Sequence, residues 1–167
     1  NILLISLTAL LWVGCSSKNE LETASGVGIE FFTRGEESDQ LKNAYVVLMN
    51  AHFRTSDDKD IVKSNPGRPI VMSFDQTLTT EQAGLLKEVL ENLRVGDSIY
   101  FEIPAKNLWE KSFERSLPDS IGQEAMVKVN MGVSSQMTIP EYQQYMAEKE
   151  REQNAGNFAA ALGGVIE

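Results

Sequence analysis

"GLLKEVLENLRVGDSIYFEIP", residues 84–104, decides how the rest of the chain is read. Leu86, Val89, Leu90 and Leu93 recur at i, i+3, i+4 and i+7, which lays one apolar stripe along a helix. Just upstream, Thr79 with Gln82 forms a capping-box pattern. A helix is therefore predicted over Thr79–Leu93, with Gly96 as its left-handed stop. The second half of the quoted stretch changes period. Ile99, Phe101 and Ile103 face one side and Ser98, Tyr100 and Glu102 the other, until Pro104 ends the run. A helix with one apolar face, followed at once by a half-buried strand, predicts packing of the helix on a sheet.

Other strands flank this unit. Gly26–Thr33 is short, aromatic and β-branched, and closes at Arg34-Gly35-Glu36. Ala44–Arg54, apolar on both faces, reads as the longest strand, ended by Ser56-Asp57-Asp58-Lys59. Asp60–Ser64 is an edge piece before the turn around Pro66, Gly67 and Pro69, and Ile70–Phe74 is a further strand. Downstream, Val127, Val129, Met131 and Val133 alternate inward. Between them, Ala105–Glu124 carries Trp109, Phe113, Leu117, Pro118 and Ile121 without a sustained period and is read as a long loop. The predicted class is α+β: an antiparallel sheet of about five strands around one helix. Thr138, Pro140 and Glu141 then start a helical tail, whose charged run at 148–152 places residues 147–154 in solvent.

Composition narrows the chemistry. A net charge of −9 and a pI near 4.7 argue against nucleic acid as a partner. No Gly-rich phosphate loop or nucleophile elbow occurs. The single His52 lies in an apolar, predicted buried run with no serine or carboxylate pattern around it, so a structural role is favoured over a catalytic one. With one cysteine and one histidine, neither an internal disulfide nor a metal cluster is expected, and no cofactor is implied.

That cysteine has a telling position. Ile2–Val13 is an apolar run of twelve residues, the length of a signal h-region and too short for the roughly 20 residues of a membrane span. It ends in Val13-Gly14-Cys15 and turns polar at once with Ser16, Ser17 and Lys18. This resembles a bacterial lipobox, with Trp12 where leucine is usual. A buried strand with an inert thiol is the bland alternative, and the abrupt change to polar residues speaks against it. The resemblance implies lipidation of Cys15, a signal at 1–14 that is incomplete ahead of Asn1, and a polar tether at 15–24. Ser16 after the lipidated cysteine resembles the pattern sorted to the outer membrane, with the periplasmic face expected.

The domain proper, read as residues 25–136, resembles the FKBP-type peptidyl-prolyl isomerases, of the kind found among periplasmic and gliding-motility lipoproteins. "SGVGIEFFTRGEE" (25–37), "AYVVLMNAHF" (44–53), the stretch at 84–104 and "MVKVNMGV" (126–133) are similar, in order, to that family's words. The resemblance implies isomerisation of X-Pro bonds in exported polypeptides, with the membrane engaged through the lipid. It also implies that residues 137–167 are a tail or linker that in exported members leads into a second domain. A non-enzymatic chaperone or assembly subunit using the same cleft is the alternative.

Such a reaction needs no nucleophile. The amide barrier of ~18–20 kcal/mol comes from resonance, and a dry apolar cup that prefers the twisted amide lowers it. By resemblance, the second-strand tyrosine of the family falls on Met49, the helical floor tryptophan on Leu86 and the last-strand phenylalanine on Val127. The tyrosine ahead of the flap falls on Trp109, and two wall positions fall on Ile61 and Ile70. The orienting aspartate falls on Val62, or on Asp60 if a short gap is allowed, and the pair at the helix entrance falls on Gln82 and Ala83. The cup so built is mostly aliphatic. Met49, Leu86 and Val127 are equally what any core would show. Trp109, in a loop beyond a strand end, is less readily explained that way. Weak activity is expected.

Overall fold

The chain's structure, a computed structural model, describes residues 19–41, 46–65, 67–73, 75 and 77–163, with side chains to residue 155. The signal, Cys15 and the start of the tether lie outside the described residues, as do Pro66 and Phe74.

Among the described residues seven antiparallel strands form one sheet: β1 (Glu20–Glu22), β2 (Gly28–Thr33), β3 (Val46–Thr55), β4 (Asp60–Lys63), β5 (Ile70–Ser73), β6 (Ser98–Pro104) and β7 (Met126–Met137). Their order is β1-β2-β6-β7-β3, and the far edge of β3 is shared by β4 at one end and β5 at the other. The α+β class is as expected, but the sheet has more strands than the five or so predicted. Part of the expected tether is one of them: Glu20–Glu22 pairs with Gly28–Glu30. The reason is local. Thr23 N–H donates to the Val27 carbonyl at 2.9 Å, closing a turn that folds the segment back on β2.

The helix predicted over Thr79–Leu93 is two helices, α1 (Thr80–Ala83) and α2 (Leu85–Glu91). The capping box is present, with the Thr79 N–H donating to Gln82 Oε1 at 2.9 Å. The break is Gly84, whose φ of +85° no helix interior accepts. A methyl group there would lie 2.8 Å from Lys111 Cβ and Ser112 Oγ, so the backbone passes too close to its neighbour for any side chain. Gly96 is not a helix stop. The helix ends at Glu91, and Gly96 (φ +90°) belongs to the turn between Arg94 and Asp97.

Leu86, Val89, Leu90 and Leu93 are fully buried, as are Ile99, Ile103, Val127 and Val129 of the sheet. They share one core with Ile29, Val47, Met49, Phe53 and Phe101. Val46 and Leu48, on the other side of β3, are also buried, which accounts for that strand's unbroken apolar run. His52 departs from its predicted burial. It lies half-buried on the outer face, because strand alternation gives the core to its neighbours Ala51 and Phe53.

The stretch Ala105–Glu124 is not loop throughout. It opens with α3 (Ala105–Asn107) and a π-helical turn at Leu108–Ser112, burying Ala105, Leu108 and Trp109. From Thr138 the chain enters α4 (Ile139–Gly163), and residues 147–155 are exposed, as predicted for 147–154. Thr138 N–H donates to Glu141 Oε2 at 2.7 Å at its start. Among the described residues no helix is long and apolar enough to cross a membrane.

Candidate functional site

β3 is the spine of the candidate cup. Met49 stands opposite Ile70 of β5 and Val133 of β7, and Phe53 opposite Val62 of β4 and Val129 of β7. Residues directly opposite share a face, so Ile70 lies beside Met49 and Val62 beside Phe53. Ile61 is the extra residue where the β3–β4 register shifts between Phe53 and Arg54. Leu86, the expected floor, is carried by α2, Val127 pairs across to Ile103, and Trp109 comes from the π-helical turn.

Six of the seven expected pocket residues lie in or against the single hydrophobic core. Met49, Leu86 and Val127 are 0% exposed and Trp109 8%. Ile61 and Ile70 are half-buried against the cluster. Val62, at 37% exposure, stays at its rim.

The acid is elsewhere. Asp60 stands opposite Arg54 and turns to the outer face, where its Oδ1 lies 2.6 Å from His52 Nε2. That hydrogen bond holds the Asp60 carboxyl below the usual carboxylate range. The position beside Phe53 thus belongs to Val62, and no charged group is placed there to orient an amide.

Two aromatic residues escaped the sequence reading of the pocket. Phe113 stands edge-on to Trp109, with ring centroids 5.8 Å apart, and edge-on to Phe53 at 6.0 Å. Both had a signal. Phe53 is an even number of residues from Met49 on one strand, and Phe113 is one helical turn beyond Trp109. Together with Trp109, these two rings give this end of the core an aromatic character that the other six expected residues lack.

Two hollows flank the cluster without coinciding with it. One, of about 130 Å³, lies between β5, α1, α2 and the π-helical turn, and of the seven expected residues only Leu86 lines it. The other, of about 490 Å³, is an acidic groove over β1, β2 and β6 lined by Glu20, Glu22, Glu30, Tyr100 and Glu102, and touches none of them. Burial and the hydrogen bond to Glu102 push the Tyr100 hydroxyl up to about 12. Among the described residues no three His, Cys, Asp or Glu side chains are placed to hold a metal.

No protein-family model and no curated protein matches the sequence. Solved structures do. A peptidyl-prolyl cis-trans isomerase from Pseudomonas syringae pv. tomato aligns with a TM-score of 0.54 and 18% identity, over 74% of this chain and 84% of that one. FkpA from Escherichia coli aligns at 0.52 and 16% identity, over 72% of this chain and 52% of its own. The structure of the three FKBP domains of wheat FKBP73 gives 0.51 and 14%, over 71% and 51%. The chain spans about half the length of the last two. At these identities the likeness speaks for architecture alone: the chain has an FKBP-like fold.

Proposed function

We propose that this chain is a weak peptidyl-prolyl isomerase that acts on exported, proline-containing polypeptides from a lipid anchor at Cys15. The observation that supports this reading is the burial of Met49, Leu86, Val127 and Trp109 together in the one apolar core of an FKBP-like fold. Dry apolar contact favours the twisted amide, which is less polar than either planar form. Activity is reduced because Val62 holds the position from which an acid would orient the carbonyl, and because Leu86 offers no ring face as floor. We assign a rate roughly 10²-fold below an ordinary member of the family, equivalent to about 2.7 kcal/mol of lost transition-state stabilisation.

A proline-tetrapeptide isomerisation assay on the full chain tests this. Turnover at the reduced rate, abolished by Trp109→Ala, supports it. Turnover at full family rates would show that the pocket is assigned wrongly. The engagement of Asp60 with His52 favours a second reading, in which the same cup binds exported chains without isomerising them. Under that reading peptides bind, Trp109→Ala weakens them, and no rate enhancement is measured.

A further inference from the structure

We propose that residues 113–121 are a built-in cover of the cup, with Phe113 as its plug, which a peptide has to displace before it can bind. The inference rests on the cup assignment above. The floor and walls of a vacant cup would be in contact with solvent, yet Met49, Leu86 and Val127 have none and Phe53 is only 2% exposed. One loop packs on the core to which these residues belong. Phe113, Leu117 and Ile121 all pack against it while remaining partly exposed themselves. Phe113 is edge-on to both Phe53 and Trp109, at interplanar angles of 65° and 72°. An apolar side chain of a ligand seeking those two ring faces would meet Phe113 first.

The loop's root is fixed by its backbone, while the Phe113 ring and the rest of the loop are held by side-chain packing. Phe113 N–H donates to the Leu108 carbonyl and Arg115 N–H to the Trp109 carbonyl, each at 2.9 Å, which clips the loop's root to the turn carrying Trp109. Between them Glu114 sits at φ +52°, a left-handed conformation that a residue with a Cβ adopts only under constraint. Further out, Ile121 N–H donates to the Pro118 carbonyl at 2.9 Å, a bond internal to the loop. The outer part is thus seated by the side chains of Leu117 and Ile121, which a competing apolar ligand can replace. Apparent affinity is then the intrinsic affinity reduced by the fraction of molecules with the cover open.

The test uses the full chain with Trp12→Phe, so that Trp109 is its only tryptophan, and compares Phe113→Ala and Leu117→Ser with that background. Acrylamide quenching of Trp109 reads the cover, and anisotropy of a fluorescein-labelled proline-containing peptide reads the cup. Quenching is expected to rise at least about twofold in both variants and the peptide to bind at least about fivefold more tightly, as relief of a closed state requires. Unchanged quenching in both variants overturns the cover. Raised quenching with unchanged or weaker binding overturns the gate and leaves the functional reading standing. If Trp109 becomes accessible and no variant binds peptide at all, the functional reading has failed, and the gate with it.

Discussion

The side-chain carbonyl of Asn107 accepts the backbone N–H of Leu85 at 2.8 Å. It occupies the place where a preceding turn would supply an acceptor if the helix ran on through Gly84. The bond also ties the first turn of α2, which carries Leu86, to the segment that carries Trp109. Asn107→Ala leaves the Leu85 N–H without its partner and should cost about 1–3 kcal/mol in denaturant unfolding. Gly84→Ala attacks the same junction through the backbone, because its positive φ and the 2.8 Å approach of Lys111 Cβ both resist a methyl group. More than about 1 kcal/mol is expected. Gly122→Ala, with open space around it, is the control and should stay within about 0.5 kcal/mol.

Leu90 is fully buried between α2 and the sheet. Leu90→Ala should destabilise by about 2–5 kcal/mol. A loss below about 0.5 kcal/mol, the range of exposed sites, would contradict the packing described.

Asp97 is a buried carboxylate with three donors: Gly35 N–H at 2.7 Å, Arg94 N–H at 2.9 Å and Arg34 Nη1 at 2.9 Å. The two backbone donors matter most, since the Arg34 side chain is 37% exposed and regains water readily. Asp97→Ala should therefore cost at least about 2 kcal/mol, whereas Arg34→Ala should cost about 1 kcal/mol, including its stacking over Phe31. Equal losses from the two substitutions would overturn this ranking.

Tyr100 provides a pH signature on the acidic face. Its hydroxyl ionises at about 12 in the folded chain, against an ordinary value of 10.0, because burial and Glu102 disfavour the phenolate. The folded state thus holds its proton more tightly than the unfolded one. The associated stability is complete below pH 10 and is lost as pH rises towards 12. Ring resonances assigned by Tyr100→Phe should titrate late, and Glu102→Gln should bring the transition down.

For the anchor, mass spectrometry of the membrane fraction is expected to find a diacylated peptide beginning at Cys15. An intact, soluble N-terminus excludes the lipoprotein reading.

Local pattern made most of the architecture legible. Period-two alternation placed Ile99, Phe101, Ile103, Val127 and Val129 in the core, and the helical stripe placed Leu86, Val89, Leu90 and Leu93 there. Where the reading missed, the deciding contact lay far along the chain. Gly84 breaks the helix because Lys111 and Ser112 pass beside it, which no window around Gly84 contains. His52 faces outward because β3 keeps strict alternation within an apolar run, and the run conceals which side is which. For the candidate cup, the words of the family pointed to Met49, Leu86 and Trp109, all of which lie in the core. They could not supply Phe113, which comes from a stretch with no sustained period.

The strand order also constrains how the chain can fold. β7 lies between β6 and β3, yet among the described residues it is the last strand to be made. Until residues 126–137 are present, β1-β2-β6 and β3-β4-β5 are two half-sheets, each with an open edge. Joining them is a single long-range insertion, with Val46 meeting Met137. Such non-local pairing is slow, and open edges invite association with other chains. A nascent copy is therefore itself vulnerable to aggregation until β7 slots into the middle of the sheet.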